Sequence, residues 1–546
     1  MSDPLVPTVA SGPSPRRELS RLGVLFLSVG AVIGGGWLFA AQEASRFAGP
    51  LSLLSWVVAT AMLVVIALVV AELGAMFPVT GGTGRFPAYA FGRVGGFLAG
   101  WCSWLATVVV PPIETLAALR YLADFFPWLV RSQGVNGEAP TPIGLLVAGA
   151  MLFLFTWINL RGLRLFSETN TAVVFWKLAV PLLVALALIL LSFHKENFVR
   201  GGGFAGSGLR GMFMGVSQGG AVFALIGFEQ AVQLGAETRN PQRNMPFAVI
   251  TSLLIGAGLY ILLQVAFLGA VPTANLAAGW LHLQFTHSAG PFYGLATLAG
   301  LGWIAALLAV DAFVSPAGSG LTLTATSARM PYAMARDGYL PGGLGKLERG
   351  VPRNALLACF VVEVALFLPF PSTQRFLDYV TTAMALIYGV VTLSAGVLRQ
   401  VAPEHERPFR LPRARVLCPM AFFFANLIIY WAGFEADLRL FVAVVLGTVL
   451  LALAWWRRPD RRHSPHELLA MAWFPVYLVG LLVLGGVGQY GGLGALPFWW
   501  DLLAVAAFSL AIYYWALRLG RTAHERHPGT IAIGPEAEPQ QDPGLR

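Results

Sequence analysis

Apolar residues run through this chain in blocks. Each block is about 20 residues long and nearly free of charge, and short polar connections separate it from the next. A helix rising about 1.5 Å per residue needs that length to cross a hydrocarbon core of about 30 Å. About 14 blocks can be read, at 22–46, 52–76, 95–119, 143–159, 170–193, 213–235, 246–270, 290–320, 354–370, 377–398, 416–434, 438–456, 469–488 and 499–518. The pattern predicts an all-α polytopic membrane protein, with polar tails at 1–20 and 521–546. The first 20 residues are rich in Pro and Ser and lack a cleavable signal pattern, so the first span is expected to be retained.

Two blocks are interrupted by small residues. The first, "SVGAVIGGGWLFA", carries Gly34, Gly35 and Gly36; the sixth, "GGAVFALIGFEQAVQLGA", carries Gly219, Gly220 and Gly227. Five spans separate them, so the two copies cross the membrane in opposite directions, as in an inverted repeat with its site at the midplane. Small residues also serve close helix packing, and one break alone would carry little weight. Unwound backbone at that depth is tolerated only where protein or a water-filled cavity covers it. A half-helix N-terminus offers N–H groups to a carboxylate, and the C-terminal end before it offers carbonyls to an ammonium. One broken helix therefore suits both ends of an amino acid.

Charged residues inside the blocks are few. Lys177 sits in "TAVVFWKLAVPLLVALALILL", Glu114 in the third span, Glu229 just after the second break and Asp311 in the eighth span. Each isolated charge at mid-membrane costs about 2.5–3.5 kcal/mol, and the four together about 10–14 kcal/mol, which rivals the stability of a whole fold. They must be paired, hydrated or partly protonated. Lys177 could snorkel to an interface, but its central place favours donation to carbonyls freed at a break. Glu114 shares a helical stripe with Ser103, Thr107 and Pro111, and is a candidate for substrate or proton binding or a partner for Lys177. Pro111 and Pro112 should bend that helix. Asp311 heads a stripe with Ser315, Ser319, Thr322 and Thr326 and is read as a coupling or contact residue. Glu229 is either a proton carrier or a cap on exposed N–H groups. Glu72 reads as structural. In "ETRNPQRNMP", Glu237 with Arg239 or Arg243 could pair at a gate, and the Asn-Pro and Met-Pro steps oppose a helix.

Composition narrows the classes. The chain is 57% hydrophobic and only 12% charged over 546 residues, far below the charge of soluble domains. With the N-terminus inside, about 27 Lys and Arg fall on the cytoplasmic side against about 8 outside, and both termini are cytoplasmic. The net charge of +9 is then a topology signal with some attraction for anionic lipid. Basic residues scattered over short loops make no nucleic-acid surface. Cys102, Cys359 and Cys418 lie in or beside spans and suggest packing, and no metal-ligand spacing such as H-E-x-x-H is present. No cofactor, metal or catalytic residue is expected. Neither rings of like charge nor a repeated filter sequence speaks for a channel.

The motif "GAVIGGGWLF" is similar to the glycine motif opening amino acid–polyamine–organocation (APC) transporters. "GFEQAVQLGAETRNPQRNMP" resembles their sixth span and following loop, and "AELGAMFPVTGGTGRFPAYAFG" their second span and its loop. "LSVGAVIGGGWLFAA" and "DAFVSPAGSG" look closest to the bacterial aspartate–proton symporter branch. The resemblance covers about residues 18–400. It implies a ten-helix 5+5 inverted-repeat core at 21–400 with discontinuous helices 1 and 6, four additional helices at 401–520, and alternating access without ATP. It also implies that backbone at Gly34, Gly35 and Gly36 takes the substrate carboxylate. Carbonyls near Val32, Ile33, Phe223 and Ala224 would take the amino group, with Gly227 in the second break. Phe223 holds the position of a capping aromatic that is often Trp in the family, which leaves a smaller lid. Lys177 matches a lysine that replaces a sodium ion in some relatives, favouring proton coupling. The expected function is import of an amino acid by proton symport across the inner membrane, between helices 1, 3, 6 and 8. A sodium-independent amino acid or polyamine exchanger is the alternative, since three acids around one site would suit a cationic substrate. The last four helices are open to homodimer formation, lipid binding or scaffolding.

Overall fold

The computed structural model describes residues 17–123, 125–132, 138–200, 203–277, 279–283, 290–367, 373–457 and 465–526. Residues 1–16 and 527–546 of the two expected tails lie outside them. Regular structure among the described residues is helical, apart from a short hairpin of β1 (Val130–Ser132) and β2 (Glu138–Pro140).

The first block divides into α1 (Arg21–Val32) and α2 (Trp37–Ala48), and α3 (Ser52–Met76) follows. The third is α4 (Gly82–Val108) with α5 (Val110–Leu122); the next two are α6 (Pro142–Leu160) and α7 (Leu163–Leu191). The sixth falls into α8 (Gly208–Ser217), α9 (Ala221–Leu225) and α10 (Gln230–Gln233). Then come α11 (Pro241–Ala270), α12 (Pro291–Leu298), α13 (Gly302–Ser327), α14 (Arg329–Arg336), α15 (Arg353–Ala365) and α16 (Thr373–Val401). The C-terminal part holds α17 (Ala414–Ala432), α18 (Phe434–Arg457), α19 (Pro465–Ala470), α20 (Trp473–Val487) and α21 (Phe498–Arg526).

Among the described residues, eleven helical stretches are long and apolar enough to cross a membrane. The blocks expected at 22–46, 213–235 and 354–370 are not among them. The first two are interrupted, and α15 in the third is 13 residues long. The span expected at 290–320 starts later, because Gly300 at φ +70° turns the chain between α12 and α13.

Local chemistry sets the helix ends. The Gly23 N–H donates to the Ser20 hydroxyl at 3.1 Å, and the Gly144 N–H to that of Thr141 at 3.0 Å, as N-caps do. The expected bend at Pro111 and Pro112 is the junction between α4 and α5 at Val109, since neither proline has an N–H for the preceding turn. Asn240, at φ 44°, holds the chain out of the helix just before Pro241 opens α11. The Met-Pro step that was expected to oppose a helix does not: Pro246 lies inside α11, near its start, and Gln242, whose carbonyl loses its partner, is exposed.

The core forms where α1 packs on α7, α11 and α13, and α13 on α5. Leu146, Phe153, Leu190 and Val361 point outward, giving the bundle an apolar belt. The C-terminal helices are fixed to the interrupted sixth block. Phe213 of α8 stacks on Trp431 of α17 with centroids 4.4 Å apart, and Gln218 Nε2 donates to the Trp431 carbonyl at 2.8 Å.

Glu72 reads as structural and is so placed. It is 1% exposed, accepts from Arg399 Nε at 3.0 Å and from Arg399 Nη2, and accepts the Leu411 N–H at 2.6 Å. It ties α3 to α16 and to the connection before α17. Replacing Glu72 with Ala strands a guanidinium and a buried N–H, and should cost about 3 kcal/mol, read as a lower melting temperature of the detergent-purified protein.

Candidate functional site

The helix of α1 stops at Val32, and the chain bends through Ile33 (φ −92°, ψ 84°) before α2 begins at Trp37. Four residues leave the helix in the middle of the bundle, so their peptide groups need other partners. Most find one. The Gly35 N–H donates to Glu114 Oε2 at 2.8 Å, and the Gly34 N–H turns back to the Val32 carbonyl at 3.2 Å. Tyr260 Oη donates to the same Val32 carbonyl at 2.8 Å. Lys177 Nζ donates to the Gly30 carbonyl at 2.6 Å and to Ser319 Oγ at 3.0 Å, and Ser319 donates in turn to Gly30 at 3.0 Å. The expected contact of Lys177 with carbonyls freed at the break is present. The lysine is fully buried, so it does not snorkel.

This changes the expected roles of the glycines. Of Gly34, Gly35 and Gly36, two have N–H groups already engaged; among the described residues, those of Gly36 and Trp37 have no acceptor. The expected acceptor carbonyls shift in the same way. Those of Val32 and Phe223 are bonded within the protein, and that of Ile33 receives Ser319 at 3.5 Å. The carbonyls of Ala31 and Ala224 have no donor among the described residues.

The second break has two steps. Gly220 at φ 80° separates α8 from α9, and Gly227 at φ 122° lies between α9 and α10. Glycine alone enters such conformations freely. At Gly227 a Cβ would lie 2.8 Å from the Ala31 carbonyl carbon and from the Val32 nitrogen, so the two breaks touch backbone to backbone. Glu229 accepts the Gly227 N–H at 3.1 Å, Tyr388 Oη at 2.8 Å and Gln230 Nε2 at 2.7 Å. One of these bonds caps an N–H freed at the break.

Between the breaks lies a cavity of about 30 Å³, room for about two waters. Gly34, Gly36, Glu114, Phe223, Ala224 and Gly227 line it, together with Ala31 and Val32. Phe223 lies over Gly36, where a Cβ would stand 3.4 Å from its ring. Ile33 and Gly35 are not among the residues that line the cavity.

Asp311 is elsewhere. It accepts from Trp176 Nε1 at 2.7 Å, Trp37 Nε1 at 3.1 Å and Ser315 Oγ at 2.8 Å, and does not line the cavity. It braces α2 and α7 against α13. The expected gate pairing is corrected as well. Glu237 pairs with Arg329, at 3.1 Å from Nε and 3.2 Å from Nη2, and not with Arg239 or Arg243. Arg239 donates to the Arg17 carbonyl at 3.2 Å, and Arg243 lies on the exposed face of α11. Neighbours in sequence are turned outward by the bend at Asn240, while α14 supplies its arginine from across the fold. Sequence reading missed Tyr260, Gln230, Arg329, Trp37, Trp176 and Tyr388. Tyrosine and tryptophan within apolar spans carry polar atoms that seek partners, which was the available signal.

Comparison with known proteins fits this geometry. Residues 19–451 match the amino acid permease family. The chain belongs to that family. The permease is 34% identical to the glutamate/serine transporter AimA of Bacillus subtilis over 520 residues, covering 92% of this chain and 94% of that one. It is also 34% identical to the aspartate-proton symporter of Bacillus subtilis over 514 residues, covering 92% and 97%. The branched-chain amino acid permease BcaP of that bacterium matches at 25% over 480 residues, 84% of this chain and 96% of that one. This permease is thus a multi-pass membrane transporter of the APC superfamily and not an enzyme.

The contact between the breaks gives a direct test. Gly227→Ala places a methyl group within 3 Å of the first break's backbone and at an unfavourable φ. Membrane insertion should persist, while uptake into proteoliposomes should fall at least about tenfold, since wedging the breaks apart by a methyl costs about 1–3 kcal/mol.

Proposed function

We propose that this permease imports an amino acid together with a proton, by alternating access at the cavity between the two breaks. The observation that carries this reading is the Glu114 carboxylate on the Gly35 N–H. A substrate carboxylate docking on the neighbouring Gly36 and Trp37 N–H groups would stand beside a second negative charge in a dry site. A proton on Glu114 removes that repulsion, so substrate and proton bind better together than apart. That reciprocity is the thermodynamic content of symport. The substrate ammonium would meet the open carbonyls of Ala31 and Ala224. Lys177, on the Gly30 carbonyl, supplies a fixed positive charge where a sodium ion would otherwise serve, which supports sodium independence.

The same reading includes a ten-helix core of two inverted five-helix repeats, about 14 spans in all, in the cytoplasmic membrane with both termini inside. Asp311 and Glu229 brace the broken helices, and the Glu237–Arg329 pair closes the cytoplasmic end. The aspartate-proton symporter among the relatives supports proton coupling over exchange.

Uptake in proteoliposomes under imposed gradients tests the coupling. Accumulation should follow an inward proton gradient and ignore sodium; transport driven equally by sodium at fixed pH sinks the reading. Glu114→Gln should abolish proton-driven accumulation while counterflow with unlabelled substrate continues. A variant that still concentrates substrate under a proton gradient removes Glu114 from the coupling. Strict dependence on internal substrate in the unaltered protein would mean an antiporter.

A further inference from the structure

We propose that the side-chain end of the central cavity is built for a small neutral amino acid bearing a hydrogen-bond donor, of the serine class, and not for a dicarboxylic one. This rests on the amino-acid reading above and specifies its substrate.

The first ground is charge. Among the described residues, no lysine, arginine or histidine lines the cavity, and the one ionisable acid or base in its lining is Glu114. Lys177, the nearby cation, is outside the lining and is held by Gly30 and Ser319. A second carboxylate on the substrate would be buried without a counter-charge, which is strongly unfavourable even with Glu114 protonated.

The second ground is an unanswered acceptor. Gln230 is fully buried and lines the cavity. Its Nε2 donates to Glu229 Oε1 at 2.7 Å. With that bond the amide turns its Nε2 end to Glu229. The other end, Oε1, is buried and has no partner among the described residues. A buried carbonyl oxygen of this kind requires a donor, and a substrate hydroxyl supplies one where a carboxylate would repel it. Thr107 offers no competing donor, since its hydroxyl is committed to the Ser103 carbonyl at 2.9 Å and the Trp104 carbonyl at 3.1 Å.

The third ground is size. Much of the remaining wall is Ala106, Val110, Leu323, Val380 and Met384, apolar side chains around a cavity of about 30 Å³. A cavity of that volume is smaller than any amino acid, so the wall must withdraw for every substrate, and least for the smallest side chains.

Thermal stabilisation of the purified full-length protein by serine, alanine, threonine, aspartate and glutamate, with competition for serine uptake, tests the proposal. Serine should bind at least about tenfold more tightly than aspartate or glutamate, the equivalent of one buried hydrogen bond or more. Gln230→Leu should lower the serine-to-alanine preference about tenfold; the ratio is read within one variant, so a general loss of folding does not mimic it. Aspartate or glutamate binding as tightly as serine would overturn the proposal, as would an unchanged ratio in Gln230→Leu. Should that variant fail to fold, the five-substrate ranking of the unaltered protein decides alone. Silence from all five amino acids would overturn this proposal, and silence from a panel of all the amino acids would overturn the amino-acid reading beneath it.

Discussion

A peptide group released from a helix in the middle of a membrane has no water to bond with, and that constraint organises this permease. Each interruption exposes donors on one side and acceptors on the other. Glu114 answers a donor of the first, Lys177 and Tyr260 its acceptors, and Glu229 a donor of the second. These side chains come from α5, α7, α11 and the second break itself. Elements distant along the chain are thereby held against the same few residues. Among the described residues, what the breaks leave unanswered includes the N–H groups of Gly36 and Trp37 and the carbonyls of Ala31 and Ala224, at or beside one cavity, which Gln230 also lines with an unpartnered amide oxygen.

The same arrangement resolves the charge problem of the spans. An isolated lysine or carboxylate at this depth would be costly. None of Lys177, Glu114, Glu229 and Asp311 is isolated here, whereas the carboxyls of Glu363 of α15 and Asp437 of α18 are buried with no hydrogen-bond partner among the described residues. Lys177 meets a helix C-terminal carbonyl, where the partial charge is negative, and Glu114 meets an N–H just before a helix N-terminus, where it is positive. Asp311 is held by two indoles and a hydroxyl. The ionisable groups therefore complete the broken helices, and the breaks in turn make the ionisable groups tolerable.

Much of this was legible from residue order because the signals are local. Glycine runs in apolar blocks mark the breaks, a lone lysine in a span marks an interior polar face, and a proline pair marks the bend before Glu114. The partners were not legible, since they lie far off along the chain. Nothing near Glu237 points to Arg329, 92 positions on, and nothing near Val32 points to Tyr260, 228 positions on. The nearby arginines attracted the reading, and the turn at Asn240 carries them to the surface. The glycine triplet misled in a subtler way. Three consecutive N–H groups look equivalent in sequence, but one folds back and one meets Glu114, which leaves Gly36 as the member of the triplet whose N–H has no acceptor.

At one end of the molecule the seam between the two interrupted elements is of another kind. Leu19, just before α1, donates its N–H to the Glu237 carbonyl at 3.0 Å and accepts from the Arg239 N–H at 2.9 Å, like a single stitch of sheet. Arg17 and Arg239, which flank this stitch, are exposed, so solvent reaches its edge. Bonds with water at hand exchange partners at a net cost of about 0.5–1.5 kcal/mol each, far less than separating the dry contact at Gly227. The first and sixth blocks are thus riveted at their centre and merely basted at this margin, which makes the margin the place where they part with least resistance.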